Sequence, residues 1–347
     1  MQAAVYYGPG DLRVEETPRP AAGPDEVLVR VRAVAICGTD LRVLKGGHFR
    51  LPPGQKRILG HETAGEIAAT GSEVRGLAPG QRVTLVPNIG CGVCDQCLQG
   101  FNSYCPDYEA FGFSIDGSFA EYMRVPAKAI RQGNVVPVPD NLTDDEAALV
   151  EPLACCLNGS LACRIVPGDV VVVIGAGPIG VLHVQLARLS GARRVILCET
   201  SPERLAKALL YGADNGVNPR DEDPVAAVRR LTGGKGADVA IVAASSAAAQ
   251  EQAVEMLDYH GRLNLFGGLP EGVKTIALPS NIVHYRHVTI TGTTGASTYQ
   301  YHEALELVVA RRVDVASLVS AVFPLARIHE ALDFARSGEA AKVLIHP

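Results

Sequence analysis

The chain has 347 residues, of which 47% are hydrophobic and 20% are charged. This length allows two domains, and the composition is that of a globular protein with a sizeable core. The formal net charge of −5 argues against a protein that binds nucleic acid or anionic membranes. No apolar run is long enough to span a bilayer, and the N-terminus shows no secretory signal. We therefore expect a cytoplasmic protein whose partners include neither nucleic acid nor a membrane.

The first 150 residues are predicted to be rich in β-strands. Residues 27–36 alternate apolar and charged side chains, as a half-buried strand does. Similar short patterns at residues 2–7, 63–70, 82–87 and 121–125 are separated by glycine and proline breaks. This part of the chain is therefore predicted to form a β-domain.

From about residue 165 the pattern changes to strands and helices in strict alternation. Residues 170–174 are wholly apolar, which is typical of a strand buried on both faces of a parallel sheet. A helical pattern follows at residues 178–189, and the alternation continues with strands at 195–198, 238–243 and 261–266 and helices at 202–211, 224–231 and 247–258. Such alternation indicates βαβ units in a doubly wound sheet. The chain ends with two helical patterns, at residues 301–310 and 326–337, and a strand at residues 342–345, and we expect this segment to pack on the first domain.

Four of the nine cysteines lie within fifteen residues, at Cys91, Cys94, Cys97 and Cys105. Their spacing lets four thiolates converge on one tetrahedral ion, and zinc with four sulfur ligands is a closed structural site. Disulfides and a redox pair are the alternatives, but a chain of this length does not need disulfides, and no strand–helix pattern adjoins the quartet. The quartet predicts a structural zinc ion in a lobe at roughly residues 88–108.

A glycine motif follows the apolar strand, with Gly175, Gly177 and Gly180 around Pro178 and Ile179. This spacing allows a tight turn, a close approach to a pyrophosphate, and close packing of the next helix on the strand. The helix N-terminus then offers unpaired N–H groups to the phosphates. The motif predicts a dinucleotide site because a strand precedes it and a helix follows it.

An acidic residue, Glu199, ends the next predicted strand. A carboxylate there can accept both ribose hydroxyls and would repel a 2′-phosphate, which favours NAD over NADP. Arg204 and the two arginines at residues 193–194 favour NADP instead, because a nearby arginine can accommodate the 2′-phosphate. Arg204 could equally lie over the adenine. The expected cofactor contacts also include Phe266, Gly267 and Thr293.

A second set of ligand-type residues is spread over the first domain. It comprises Cys37, His61, Glu62 and Glu151. A thiolate, an imidazole and carboxylates fit a catalytic zinc ion, which keeps one position for water or substrate. Sequence spacing does not establish that these side chains converge, because they lie on different elements.

These motifs together resemble the zinc-dependent medium-chain alcohol dehydrogenases over essentially the whole chain. The resemblance rests on Cys-Gly-Thr-Asp at residues 37–40, Gly-His-Glu at 60–62, the cysteine quartet and the glycine motif, all in the family's order. It implies an α/β-plus-β architecture with three parts. These are a GroES-like β-barrel catalytic domain at 1–152, a doubly wound Rossmann domain at 153–291, and a segment at 292–347 that returns to the catalytic domain.

The resemblance also implies site residues. Cys37, His61 and Glu62 correspond to the ligands of the catalytic zinc, so the chain would bind two zinc ions. Glu151 lies in Glu-Pro-Leu-Ala, which is similar to the sorbitol (polyol) dehydrogenase branch, where the glutamate approaches zinc directly or through water. Cys155 and Cys156 are interpreted as helix cysteines, one of which could substitute as a ligand. The implied reaction is hydride transfer from a secondary alcohol to NAD, in a dimer or tetramer.

Three features bear on mechanism and substrate. Thr39 matches the relay hydroxyl of the family, whereas Arg42 stands where many relatives have histidine. Gly295 stands where sorbitol-type enzymes carry a substrate-binding arginine. His48, Phe49 and Phe113 are candidate pocket residues.

The alternative functions are those of an L-threonine 3-dehydrogenase, a general alcohol dehydrogenase, and a non-catalytic NAD-binding module. A non-catalytic module would be expected to lose its metal ligands.

Overall fold

The computed structural model describes residues 1–48, 50–52 and 54–347. Phe49, one of the candidate pocket residues, lies outside the described residues. None of the helices in the described part is both long enough and apolar enough to cross a bilayer.

The secondary structure contains strands and helices in the following chain order. The strands are β1 Gln2–Gly8, β2 Asp11–Glu16, β3 Val27–Ala35, β4 Arg57–Ile58, β5 Glu62–Thr70, β6 Arg82–Leu85, β7 Asn88–Ile89, β8 Glu109–Ala110, β9 Tyr122–Val125, β10 Val135–Pro137, β11 Val170–Ile174, β12 Arg194–Cys198, β13 Asn215–Val217, β14 Ala237–Val242, β15 Leu257–Leu265, β16 Thr289–Gly292, β17 Val319–Pro324 and β18 Lys342–His346. The helices are α1 Gly38–Gly46, α2 Asp95–Leu98, α3 Ala127–Arg131, α4 Asp144–Ala148, α5 Val150–Ala162, α6 Pro178–Leu189, α7 Pro202–Leu209, α8 Pro224–Leu231, α9 Ala247–Glu255, α10 Ser280–Arg286, α11 Thr298–Val309 and α12 Ile328–Ser337.

The chain folds into two compact units. The first unit, named unit 1, combines Met1–Ala154 with Gly295–Pro347, and the second, unit 2, comprises Cys155–Thr294. Each unit has its own cluster of buried apolar side chains.

Unit 1 is built on a seven-stranded sheet with the order β10-β6-β5-β3-β18-β17, in which β9 also pairs with β3. A three-stranded sheet, β2-β1-β4, and the short pair β7-β8 complete its strands among the described residues. The alternation predicted for residues 27–36 appears in β3 only around Arg30, which is exposed, and Arg32, which is partly exposed; the other residues of the strand are buried. Phe111, Phe119 and Met123 are among the largest side chains buried in this core.

The C-terminal strand β18 lies inside the sheet of unit 1. Leu344 pairs with Ala35 of β3, and Ala35 pairs on its other side with Glu62 of β5. Three segments that are distant in sequence therefore meet where β3 ends and the chain enters α1.

Unit 2 is a six-stranded parallel sheet with the order β13-β12-β11-β14-β15-β16. This is the doubly wound order 3-2-1-4-5-6, as the alternating pattern predicted. All five residues of β11 are buried, and each fully buried valine contributes roughly 1.5–3 kcal/mol of transfer free energy. The helices predicted at residues 178–189 and 224–231 are observed as α6 and α8, and each has proline in its first turn.

Some boundaries differ from the predictions. The helix predicted from residue 301 begins at Thr298, because Ser297 caps it and Gln300 completes a capping box. The strand predicted from residue 261 begins at Leu257, where its pairing with β14 is interrupted by a register shift. Local caps and irregular pairing thus moved these ends by a few residues.

Candidate active site

The cysteine quartet forms one cluster in unit 1. The sulfur atoms of Cys91, Cys94, Cys97 and Cys105 all lie within 4.8 Å of one another, and none of these residues forms a disulfide. Cys94 Sγ and Cys105 Sγ are 3.7 Å apart. Zinc–sulfur bonds of about 2.3 Å in a tetrahedron place the sulfurs about 3.8 Å apart, so the arrangement fits a zinc ion.

Backbone N–H groups favour a thiolate in this cluster. Those of Val93 and Cys94 donate to Cys91 Sγ at 3.5 and 3.3 Å and lower the pKa of Cys91 to about 6. Burial raises the pKa of Cys105 to about 12, and a bound cation would offset that cost by stabilising the thiolate. The chemistry of this donor set is therefore that of a structural zinc site.

Cys37 lies at the N-terminus of α1. Its Sγ accepts a hydrogen bond from Thr39 N at 3.4 Å, and its own N–H donates to Asp40 Oδ2 at 2.9 Å. This reciprocal capping fixes the position of the thiol at the first turn. The N-terminal end of the helix dipole also favours a negative charge on that sulfur.

His61 faces Cys37 from the residue before β5. The ligand atoms of Cys37, His61 and Glu62 all lie within 4.8 Å of one another. His61 Nδ1 is buried, lies 3.5 Å from Asp40 Oδ1, and has no hydrogen bond of good geometry among the described residues. Asp40 can thus orient the ring, which leaves Nε2 as the nitrogen available to a metal ion.

The electrostatic environment of His61 favours a cation. Burial alone would lower the pKa of His61, but the negative charges of Asp40 and Cys37 raise it well above its usual value. The same field would stabilise a divalent metal ion between these groups. The residues present therefore fit zinc.

Glu62 is held by a lysine from the C-terminal strand. Lys342 Nζ donates to both carboxylate oxygens of Glu62 at 2.5 Å and lies 3.4 Å from the carbonyl oxygen of Ile36. The side chains of Glu62 and Lys342 are only 1% and 5% exposed. Burial opposes the charge on Lys342, yet Glu62 and Cys37 raise the pKa of Lys342 above its usual value.

Glu151 is buried near the start of α5. It is not part of the group formed by Cys37, His61 and Glu62, but it lies close enough to Lys342 to contribute to the raised pKa of that lysine. Cys155 and Cys156 belong to the same helix α5, and Cys156 Sγ donates to the carbonyl oxygen of Ile179 at 3.7 Å. The metal contact of Glu151 stays a prediction.

The candidate relay hydroxyl is bound by an arginine. Arg42 donates to Thr39 Oγ1 at 2.9 Å. Nearby, the ring of His48 lies 4.9 Å from that of Phe113, which in turn lies 5.4 Å from the ring of His61. Gly295, at the position of the missing arginine, has a left-handed φ of +63°.

The glycine turn of unit 2 lies between β11 and α6. Gly175 has a left-handed φ of +104°, and a Cβ at Gly180 would lie 1.7 Å from the carbonyl oxygen of Gly175. Only glycine fits at Gly180, because a side chain would collide with the backbone. A Cβ on Gly177, the N-cap of α6, would meet the Arg204 guanidinium at 2.8 Å. The turn therefore has the close packing that a pyrophosphate site requires.

Glu199 anchors this turn from the end of β12. Its carboxylate accepts hydrogen bonds from the backbone N–H groups of Ala176, Thr200 and Ser201 at 2.8–3.0 Å. Burial alone would raise the pKa of Glu199, but these N–H groups, first that of Ala176, lower it below its usual value. Arg204 Nε lies 3.9 Å from Glu199 Oε2. The residue is therefore ionised beside the turn.

The other expected cofactor residues lie near the carboxyl ends of later strands in unit 2. The ring of Phe266 packs edge-on against His183 at 4.7 Å. Gly267 N donates to the carbonyl oxygen of Val242 at 2.7 Å, and Thr293 Oγ1 donates to Asn264 Oδ1 at 3.2 Å. Ligands of doubly wound sheets bind at this edge.

Sequence reasoning missed two residues of the metal centre. Asp40 belongs to the Cys-Gly-Thr-Asp segment, and its spacing of three residues after Cys37 is the signal for a capping box. Lys342 opens a strand whose next three residues are apolar, and a single charge at the edge of such a pattern gives no indication of its partner.

Two protein families match the chain. The alcohol dehydrogenase GroES-like domain family matches residues 23–140, and the zinc-binding dehydrogenase family matches residues 178–310. These matches confirm the GroES-like and Rossmann fold classes that the sequence predicted.

Full-length relatives agree with this assignment. The chain is 33% identical to sorbitol dehydrogenase of Bacillus subtilis, over 100% of this chain and 97% of that protein. It is 34% identical to L-threonine 3-dehydrogenase of Pyrococcus furiosus, over 99% and 97%. A crystal structure from Sinorhizobium meliloti, described as a zinc-binding dehydrogenase bound to NADP, is similar with a TM-score of 0.91 and 33% identity, and covers 100% of this chain and 99% of that chain. The chain therefore belongs to the zinc-binding medium-chain alcohol dehydrogenases and is an oxidoreductase of that family.

Proposed function

We propose that this dehydrogenase transfers a hydride from a secondary alcohol, of the polyol or sugar-alcohol kind, to NAD. The observation that carries the proposal is the convergence of Cys37, His61 and Glu62 within 4.8 Å. This mixed donor set is that of a catalytic zinc site with a position for substrate. The similarity to the Bacillus subtilis sorbitol dehydrogenase supports a polyol as the substrate.

Cys37 and His61 would hold the catalytic ion, with Glu62 or Glu151 as the source of an acidic oxygen. A bound Zn²⁺ is a Lewis acid that lowers the pKa of an alcohol in contact with it. Asp40 keeps His61 oriented, and Lys342 neutralises the buried charge of Glu62. With the cysteine quartet as a structural site, the chain would carry two zinc ions.

The substrate proton would leave through Thr39. Its Oγ1 would accept the hydrogen bond of the substrate hydroxyl and pass its own proton to water. Arg42, which donates to the same oxygen, cannot take the proton because its guanidinium stays charged. The onward route is therefore water or Glu151 rather than Arg42.

The glycine turn at Gly175, Gly177 and Gly180 would bind the pyrophosphate of the dinucleotide. Pro178 and Ile179 form the first turn of α6, and the free N–H groups at this helix N-terminus would bind the phosphates. We infer NAD rather than NADP, because the ionised carboxylate of Glu199 would repel a 2′-phosphate. The Sinorhizobium meliloti relative is bound to NADP, and this observation favours NADP instead.

L-threonine 3-dehydrogenase activity is the second candidate, and the Pyrococcus furiosus relative favours it. A general alcohol dehydrogenase is the third. A panel of sorbitol, L-threonine and a simple secondary alcohol, each with NAD and with NADP, separates them through the rate of nicotinamide reduction. Within this panel we expect the highest kcat/KM with sorbitol and NAD. Fastest turnover of L-threonine, or no turnover of any alcohol, would contradict the proposal.

We also infer that the protein acts in the cytoplasm as a homodimer or homotetramer, as the family resemblance implies. Light scattering of the purified protein measures the mass directly. A monomer of 36.6 kDa at working concentration would contradict the assembly.

A further inference from the structure

Arg42 places a positive charge beside the proposed metal centre. It lies on α1, one turn after Thr39, and donates to Thr39 Oγ1 at 2.9 Å. Thr39 N in turn donates to Cys37 Sγ at 3.4 Å. The guanidinium is thus connected to the expected zinc ligand through Thr39 and two hydrogen bonds.

This positive charge is not neutralised within the described part of the chain. Arg42 is exposed and forms no ion pair there, and its contact with Thr39 is its one hydrogen bond from the side chain. The nearest carboxylate along the helix, Asp40, is buried and already binds Cys37 N. By contrast, three other arginines of unit 1 each pair with a carboxylate, namely Arg32, Arg57 and Arg82.

A second arginine, Arg50, contacts His48. The backbone N–H of Arg50 donates to His48 Nδ1 at 3.2 Å. Partial burial lowers the pKa of His48, and the charges of Arg50 and then Arg42 lower it further. Both positive charges therefore act on the ring of His48, which packs against Phe113. Because Phe113 also contacts His61, this positive region adjoins the metal centre within unit 1.

We propose that Arg42 is an anion-binding residue of the substrate site, so that the preferred substrate is a polyol that also carries a carboxylate or a phosphate. The inference rests on the proposed function and names the substrate class of that site. A guanidinium binds either anion through parallel N–H donors, and most of the donors of Arg42 are free of protein partners in the described residues. Arg42 would then bind both the anion and the hydroxyl of Thr39.

Matched substrates test the inference. Sorbitol, sorbitol 6-phosphate and gluconate present the neutral alcohol, the phosphate and the carboxylate, and kcat/KM is measured for each with wild-type enzyme. We expect one of the anionic substrates to exceed sorbitol by about 10- to 100-fold, as charge-assisted hydrogen bonds allow. The substrate with the higher kcat/KM shows whether the subsite prefers a phosphate or a carboxylate.

Variants then assign the preference to Arg42. In Arg42→Gln the ratio of anionic to neutral kcat/KM should fall at least about tenfold, and Arg42→Lys should restore part of it, because lysine keeps the charge but not the paired donors. Inorganic phosphate should inhibit the wild type competitively and inhibit Arg42→Gln less. Arg30→Gln, which removes an exposed arginine of β3 that forms no ion pair in the described residues, is the matched control and should leave the ratio unchanged.

The outcomes separate this inference from the proposed function. Turnover of sorbitol without any preference for the anionic substrates would overturn the anion subsite and leave the proposed function standing. A higher KM for NAD in Arg42→Gln with an unchanged substrate ratio would overturn it too, since the guanidinium would then serve the cofactor. Absence of turnover with every alcohol would contradict the proposed function, and the inference would fall with it.

Discussion

Replacement of Lys342 by methionine should destabilise unit 1 strongly. The substitution keeps a long apolar stem but leaves Glu62 buried without its partner, and that carboxylate is only 1% exposed. Removing one member of a buried ion pair costs about 3–5 kcal/mol, and Lys342→Met should lower the free energy of unfolding by that amount. Hydrogen exchange of peptides from β3 and β5, with urea unfolding followed by circular dichroism, measures the loss.

Two further variants show that charge is the cause. In Glu62→Gln with Lys342→Met the unpaired charge is gone, so the double variant should be more stable than Lys342→Met by about 2 kcal/mol or more. Arg336→Met breaks an exposed pair, 45% and 76% accessible, and should cost at most about 1 kcal/mol.

The pH dependence follows from the raised pKa of Lys342. A group with a raised folded pKa stabilises fully below its unfolded pKa of about 10.4 and loses that contribution as the pH rises through the folded value. The effect of Lys342→Met should therefore be constant from pH 7 to 9. A loss no larger than that of Arg336→Met would refute the reasoning.

Further predictions concern the dinucleotide site. Glu199→Ala should weaken binding of NAD more than that of NADP, measured by titration of the reduced cofactors, whereas Glu203→Ala should keep the ratio; an unchanged ratio in Glu199→Ala would argue against the ribose role. Gly180→Ala should abolish cofactor binding and lower the stability of unit 2 by at least about 1–3 kcal/mol, since its Cβ would lie 1.7 Å from the carbonyl oxygen of Gly175. Gly268→Ala, where a Cβ meets nothing within 4 Å, is the control, and equal effects of the two alanines would contradict the steric argument.

The fold was predictable where the hydrophobic pattern fits only a strand or only a helix. The buried strand β11 and the helices α6 and α8 follow from apolar runs, prolines in first helical turns, and strict alternation. Helix α5 was anticipated only at Cys155 and Cys156, and its bounds, Val150–Ala162, were not predicted. Strand ends such as that of β15 depend on pairing with a neighbour, which a single sequence does not contain.

The candidate site was predictable in its residue types but not in its partners. Cys37, His61 and Glu62 were expected from motif resemblance, and the structure brings their ligand atoms within 4.8 Å. The contact of Lys342 with Glu62 joins residues 280 positions apart, and no local pattern encodes it. The bond between Arg42 and Thr39 lies within one helical turn. That Arg42 has no carboxylate partner among the described residues is visible only in the structure.

The zinc content of three proteins tests the account most directly. Elemental analysis of the wild type should give two zinc ions per chain, because the quartet and the Cys37 group are separate clusters. Cys37→Ser should keep one ion and its fold but lose turnover, whereas Cys97→Ser should lose the other ion together with stability. A single ion in the wild type, or full turnover by a Cys37→Ser protein, would contradict the division into a catalytic and a structural site.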